Sequence, residues 1–266
     1  MALPTGTSPD AYLPTHIRRE LDLASSVSIG EKSKRAKYVQ ECMTLAGFPV
    51  KIDGDFGPAT EQQLKNFQTS KGLPVSGVYT QATHDVLALP FAKALGPVAT
   101  GGKTFGEVAV AVGRLHIKQK PREAGGDNRG PWVRMYMGGN EGTEWKWCAG
   151  YTFLVLAQAA KLMGVPLPMN STFSCDVIAE RAKNLGKFVK ERAVANGTFP
   201  KSNIAPGSYF LVRRTSTDWT HVGIVVEATA NSFVTLEGNT NDDGSSNGFE
   251  AVERIRGYDK KDFVVW

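Results

Sequence analysis

Residues 147–163 read WCAGYTFLVLAQAAKLM, a long apolar run that begins next to a cysteine. Gly164 and Pro166 follow the run, and both residue types favour the end of a helix. The pattern therefore predicts one helix with Cys148 at or near its N-terminus. The positive end of a helix stabilises a thiolate and lowers the pKa of a thiol, so this position suits a cysteine nucleophile.

Two downstream segments carry polar residues that could serve this thiol. Residues 220–226 read THVGIVV and predict a strand with His221 near its start. Residues 233–240 read FVTLEGNT and predict the next strand, in which Glu237 and Asn239 share one face because strand side chains alternate. A nucleophile, a histidine and a polar residue that orients the imidazole form the triad of acyl transfer.

Together with the turn at residues 205–208, these features make residues 104–266 resemble the CHAP branch of the papain-like NlpC/P60 superfamily. The resemblance implies helices packed on an antiparallel sheet, and an enzyme that cleaves amide bonds of peptidoglycan. It assigns Cys148 as the nucleophile and His221 as the general base. It also assigns Glu237 as the residue that orients the histidine, and Asn239 as a further polar residue of the site.

A glycine-rich loop, GGDNRG at residues 125–130, precedes the cysteine and is predicted to line the cleft. The expected substrate contacts in this region are Asn128, Arg129, Trp132 and Trp147. A turn pinned by Asp127 and Asn128, with no role in binding, is an equally weighted alternative.

The first third of the chain contains an internal repeat. IDGDFGPATEQQL at residues 52–64 aligns with VSGVYTQATHDVL at residues 75–87, and each copy predicts a tight loop followed by a helix. A third helix is predicted upstream, from Ser33. The motif DGDFGPAT, with Val39-Gln40 before it and Phe67-Gln68 after it, makes residues 33–90 resemble the peptidoglycan-binding type 1 domain.

From this resemblance we expect Asp53, Asp55 and Phe56 to contact substrate. The two aspartates could instead suggest a calcium loop, but Leu64 stands where an EF-hand loop requires glutamate.

The fold class expected is therefore α+β: a small three-helix peptidoglycan-binding bundle, and a CHAP-like domain with helices packed on an antiparallel sheet. The domain scheme is an N-terminal arm at residues 1–30, the bundle at 31–92, a linker rich in Pro, Gly and small residues at 93–103, and the hydrolase domain at 104–266.

Composition limits the partners and cofactors. The net charge of +5 comes from scattered residues, so no nucleic-acid partner is expected. No run approaches the roughly 18 apolar residues of a membrane span, so no stable membrane insertion is expected. Three cysteines and four separated histidines suggest neither a disulfide framework nor a metal site, and no metal or cofactor is predicted. Cys42 and Cys175 are predicted to be small buried hydrophobic residues.

The expected function is cleavage of an amide bond in bacterial peptidoglycan, by an N-acetylmuramoyl-L-alanine amidase or a peptide-stem endopeptidase. The alternatives are a Cys/His acyltransferase or deamidase acting on another amide, and a non-catalytic wall-binding component. Because the first residues lack a basic segment followed by an apolar one, we expect synthesis in the cytoplasm without a classical signal peptide. The protein would then reach the wall, in the periplasm or outside the cell, through a pore as an endolysin or by dedicated secretion as an effector. An effector would have an immunity protein or a secretion-machine carrier as a partner.

Overall fold

The computed structural model describes residues 14–23, 25–241 and 248–266. The helices are α1 (Thr15–Leu21), α2 (Lys34–Leu45), α3 (Pro58–Ser70), α4 (Gln81–Leu87), α5 (Leu89–Ala94), α6 (Phe105–Lys118), α7 (Pro131–Tyr136), α8 (Cys148–Met163), α9 (Cys175–Asn184) and α10 (Glu191–Ala195). The strands are β1 (Phe188–Val189), β2 (Tyr209–Thr215), β3 (Asp218–Ala228), β4 (Phe233–Thr240), β5 (Glu250–Arg256) and β6 (Lys261–Val264). The predicted α+β class is confirmed.

Helices α2, α3 and α4 form the predicted N-terminal bundle. Ser33 caps α2 by accepting a hydrogen bond from the Ala36 N–H at 3.1 Å, and Pro58 occupies the first turn of α3. Helix α3 buries Leu64 and Phe67 in the core. The helix starts follow from local capping and turn chemistry, which is why they were readable from the sequence.

Two buried glutamines, Gln40 and Gln68, hold the two copies of the repeat in the same way. Each side-chain oxygen accepts hydrogen bonds from two successive backbone N–H groups of the loop that follows its helix. Each side-chain amide donates to the next loop carbonyl and to a threonine hydroxyl of the following helix. The partners of Gln40, at 2.8–3.3 Å, are Asp53, Gly54, Asp55 and Thr60. The partners of Gln68, at 2.9–3.3 Å, are Ser76, Gly77, Val78 and Thr83.

The described part of the N-terminal arm is folded. Helix α1 packs against α7 and α5, and its Ile17 is fully buried. The Leu21 carbonyl lies 2.6 Å from His84 Nε2 of the bundle. The arm therefore joins the bundle to the C-terminal unit. Residues 1–13 and 24 of the predicted arm lie outside the described residues.

The start of the expected linker is also packed. Helix α5 extends into it as far as Ala94, and Gln158 of α8 donates hydrogen bonds to the carbonyls of Ala94 and Gly96 at 3.1 and 3.0 Å. These bonds fasten the connection between the two units to the side of the larger one.

The C-terminal unit is a six-stranded antiparallel sheet in the order β1-β6-β2-β3-β4-β5, with α6 and α8 packed on it. A capping box formed by Thr104 and Glu107 begins α6. Helix α8 begins at Cys148 and ends at Gly164, whose φ of 67° is the left-handed conformation of a helix stop. Across the described ranges, none of the helices combines the length and apolar character needed to cross a membrane.

Candidate active site

Cys148, His221 and Glu237 lie together where the start of α8 meets strands β3 and β4. His221 Nε2 is 2.8 Å from Glu237 Oε2. The other ring nitrogen, Nδ1, is buried and makes no conventional hydrogen bond within the described residues, and the Cys148 thiol interacts with this histidine. Nδ1 is thus the ring nitrogen that remains for the thiol. The three side chains follow one another in the order Cys148, His221, Glu237, and we call this arrangement the line.

Arg256 of β5 extends this line behind the glutamate. Its Nε and one terminal nitrogen each lie 2.5 Å from a Glu237 carboxylate oxygen, and the Thr235 hydroxyl donates to the same carboxylate at 2.6 Å. Glu237 is fully buried, so its charge needs such partners. Burial opposes ionisation, but Arg256 and His221 outweigh it and lower the pKa of Glu237. Sequence reasoning missed Arg256.

The electrostatics favour a charged nucleophile. A hydrogen bond from the Cys175 thiol lowers the pKa of Cys148 well below its usual value; burial opposes this, while His221 and the Val222 N–H add to it. Burial disfavours a charge on His221, but its contacts with Cys148 and Glu237 outweigh burial and raise its pKa to about 9. At neutral pH these two shifts favour a thiolate beside an imidazolium.

Cys175 is buried, as predicted, and belongs to the hydrophobic core. Its 8% exposed side chain also affects the site, because its interaction with Cys148 lowers the pKa of Cys148 and raises the pKa of Cys175. Cys42, in contrast, lies within α2 of the other unit, where burial raises the pKa of its thiol. Only the packing of α9 against β3 reveals the difference between these two cysteines.

Asn239 supports the backbone that leads into Cys148. Its Oδ1 accepts a hydrogen bond from the Trp147 backbone N–H at 3.2 Å, and its Nδ2 donates to Asn128 Oδ1 at 3.0 Å. Asn239 has a left-handed φ of 54°, and the β4–β5 register shifts after Glu237. The regular strand alternation expected between Glu237 and Asn239 is therefore broken, and the two side chains hold different partners.

Three aromatic residues expected to contact substrate lie in the core instead. Trp132 is 2% exposed and packs on Phe91, with ring centroids 4.5 Å apart. Trp147 is fully buried, stacks on Tyr136, and donates its indole N–H to Glu123 at 2.9 Å. Phe56 is fully buried in the bundle. Their large apolar surfaces are used in packing, which corrects the prediction for all three.

The polar residues expected to contact substrate mainly shape loops. Asn128 is buried, has a left-handed φ of 51°, and donates to the Thr143 carbonyl at 3.1 Å. Arg129 is half-buried, and its carbonyl accepts the Ala124 N–H at 2.9 Å.

Asp53 accepts the Asp55 N–H at 2.9 Å within its own turn. The Asp55 side chain pairs with Lys32 at 2.8 Å and is 43% exposed, so it remains accessible to a ligand. Among the residues that the structure describes, no group of three or more His, Cys, Asp or Glu side chains is arranged to hold a metal ion.

Comparison with known proteins bears on the N-terminal bundle. The family model described as a peptidoglycan binding domain matches residues 33–87. Residues 33–87 form a peptidoglycan-binding domain. The predicted identity of this part of the chain is thereby confirmed.

One similar solved structure is the 2.05 Å crystal structure of a peptidoglycan-binding protein from Clostridioides difficile in complex with glutamine hydroxamate. The match has 32% sequence identity and a TM-score of 0.24, and it covers 26% of this chain and 42% of that one. The chain thus spans less than half the length of that protein. No curated protein matches the sequence. The resemblance of residues 104–266 to CHAP domains stays a prediction.

Proposed function

We propose that this protein is a cysteine-dependent peptidoglycan hydrolase, in which residues 33–87 hold the wall and a CHAP-like unit cleaves an amide bond. The bond is the N-acetylmuramoyl-L-alanine amide or a peptide bond of the stem. The observation that carries the proposal is the set of buried side chains Cys148, His221 and Glu237, with Cys148 at the start of a helix and Arg256 bonded to the glutamate. A protein that only binds the wall would not need a Cys148 thiolate beside a His221 imidazolium.

The reaction is acyl transfer. The Cys148 thiolate attacks the amide carbonyl, and His221 gives its Nδ1 proton to the departing amine. Cys148 is the first residue of α8, and the first N–H groups of a helix have no intrahelical acceptor, so its N–H is the donor that we assign to the oxyanion. His221 then activates water to hydrolyse the thioester. Glu237 fixes the imidazole orientation through its 2.8 Å contact.

The two units contact each other through an ion-pair cluster, which supports a shared task. Arg134 of α7 contacts Glu20 of α1 at 2.7 Å and Glu41 of α2 at 2.8 Å, and all three side chains are largely buried. A wall-binding unit raises the local concentration of the catalytic unit on an insoluble polymer.

Access to the thiol is restricted. Cys148 is 3% exposed, so a substrate carbonyl reaches the sulfur only after neighbouring side chains move. Met169, between α8 and α9, lines a small cavity together with Ala149, the residue after Cys148. We place the site of action at the bacterial wall, in the periplasm or outside the cell, reached through a pore or by dedicated secretion.

A digest of purified peptidoglycan, analysed by liquid chromatography and mass spectrometry, tests this function. The native protein should release fragments whose masses identify the cleaved bond. Cys148→Ala should release none, whereas the control Cys42→Ala should retain activity because Cys42 lies in the other unit. Binding of native protein to the insoluble wall without any fragment release would contradict the hydrolase and favour a wall-binding component.

A further inference from the structure

Two aromatic side chains, Trp145 and Phe173, form a pair near the start of α8. Their ring centroids are 6.2 Å apart, and the angle between the ring planes is 78°. Phe173 is 39% exposed and Trp145 is half-buried. Trp145 precedes Cys148 by three residues, and a residue spans at most about 3.6 Å, so their Cα atoms lie within about 11 Å of each other. The aromatic pair is therefore close to the proposed nucleophile.

Hydrogen bonds hold the loop that carries Phe173, residues 165–174. Arg181 of α9 donates to the carbonyls of Asn170 and Ser171, each at 2.9 Å. Residues of this loop and of the first turns of α8 line one small cavity; among them are Ala149, Thr152, Met169, Asn170 and Thr172. The loop thus lies beside the first turns of α8, and Phe173 has a defined place next to Trp145.

The surroundings of Phe173 combine an apolar ring with an exposed amide. A Cβ atom on Gly138 would stand 3.5 Å from the Phe173 ring and 3.9 Å from the Asn140 side-chain nitrogen. Asn140 is exposed. An exposed aromatic ring next to polar groups suits a ligand that has one flat apolar face and hydrogen-bonding groups at its edge. A sugar ring has this form, because its C–H groups can share one face while its hydroxyl and acetamido groups lie at the edge.

We infer that Trp145 and Phe173 form a sugar subsite, which holds the N-acetylmuramic acid ring next to the amide that Cys148 attacks. The inference rests on the proposed hydrolase function and chooses between its two bonds. Only a lactyl group separates this ring from the amide to L-alanine. A bond within the peptide stem would place the sugar further from Cys148, by up to about 3.6 Å for each intervening residue.

The reaction at this subsite is hydrolysis of the lactyl amide. The C–N bond breaks, the lactyl acyl group passes to the Cys148 sulfur, and the L-alanine amine leaves with the proton from His221. Water then takes the acyl group and frees the thiol. The stem peptide is a poor occupant of the subsite, because its alanines and charged residues have no large flat apolar face. Contact with the sugar positions the amide for attack, so its loss should lower kcat/KM.

Kinetics of the full chain on two soluble substrates test the subsite: a disaccharide-peptide and the free stem peptide of the same sequence. Native protein should separate the disaccharide from the peptide and leave the free peptide intact. Phe173→Leu keeps an apolar side chain but removes the ring, and should lower kcat/KM by about 3- to 10-fold. Phe173→Tyr keeps the ring and should stay within about twofold of native protein. The control Leu185→Ala, which removes a 52% exposed side chain at the end of α9, should leave kcat/KM unchanged.

The outcomes separate the subsite from the hydrolase. Cleavage of the free stem peptide, cleavage within the stem of the disaccharide-peptide, or equal kcat/KM in native protein and Phe173→Leu overturns the subsite and leaves the hydrolase standing. Native protein that cleaves neither substrate overturns the hydrolase.

In that last case, NMR of the indole N–H groups of the full chain decides the subsite. The disaccharide-peptide should shift the Trp145 signal, assigned with Trp145→Phe, in native protein but not in Phe173→Leu. A Trp145 signal that does not move, or that the free stem peptide moves equally, overturns the subsite.

Discussion

Replacing Arg134 with methionine should destabilise the whole chain, because this residue neutralises carboxylates from three separate segments. Its guanidinium donates to Glu20 at 2.7 and 3.0 Å, to Glu41 at 2.8 and 3.3 Å, and to Glu141 at 2.8 Å. The Glu20 and Glu41 side chains are only 7% and 1% exposed. Arg134→Met would leave them buried without this cation.

The expected loss is about 3–5 kcal/mol of unfolding free energy, the cost of removing one partner from a buried ion pair. Burial already raises the pKa of Glu20, so protonation provides some relief at lower pH. In the variant the folded-state pKa of Glu20 lies above the unfolded value, so the loss of unfolding free energy relative to native protein should shrink as the pH falls towards 5.

Urea unfolding at pH 7 and pH 5, followed by tryptophan fluorescence, measures both effects. The control is Arg114→Met, which removes a pair with Glu253 whose side chains are 51% and 37% exposed. Exposed pairs contribute about 1 kcal/mol or less, so the control should change little. A deficit below about 1 kcal/mol in Arg134→Met at pH 7 would show that the charge cluster does not hold the units together.

Three further predictions concern the active site, the repeat and the core. The value of kcat/KM should decline at high pH with a pKa of about 9, because His221 loses its proton. It should also decline at low pH, because the Cys148 thiolate is protonated. A value of kcat/KM that keeps rising above pH 9 would exclude the ion pair. Gln68→Leu should lower the free energy of unfolding in urea by about 2–3 kcal/mol. The reason is that the buried N–H of Gly77 and the carbonyl of Val78 lose their hydrogen-bond partner. The control Gln62→Leu, at an exposed position, should lower the unfolding free energy by about 0.5 kcal/mol or less. Equal losses in the two variants would show that Gln68 does not stabilise the loop of the repeat. Burial lowers the pKa of His116 from 6.5 to about 4, so the unfolded state binds the proton first and stability falls as pH decreases between these values. His116→Gln should remove about 3 kcal/mol of this acid-induced loss of unfolding free energy. An unfolding free energy that depends on pH identically in native protein and in the variant would contradict this role of His116.

The locally encoded features of the molecule could be predicted from the sequence. Ser33, Pro58 and Thr104 set helix starts through capping and turn chemistry, and the structure places helices at all three. Glu237 could be placed near His221 because consecutive antiparallel strands pair, and β3 and β4 do. The internal repeat was visible as a sequence alignment, although the part played by its glutamines was not.

Features that depend on long-range packing could not be predicted. Arg256 reaches Glu237 because β5 pairs with β4, and no local pattern marks that arginine. Cys175 lowers the pKa of Cys148 only because α9 packs on β3. Trp132 and Trp147 were expected in the cleft because they flank a glycine-rich loop and the cysteine, but aromatic residues in such places can equally fill a core.

Detection of the covalent intermediate tests the central claim, that Cys148 is the nucleophile of an amide hydrolase. Native protein mixed with soluble muropeptides would be quenched rapidly in acid and analysed as intact mass and as tryptic peptides, alongside turnover. We predict an acyl adduct on peptide 147–161 during turnover, and neither adduct nor turnover in Cys148→Ala. Turnover that persists in Cys148→Ala, or an adduct on a different peptide, would contradict the assignment.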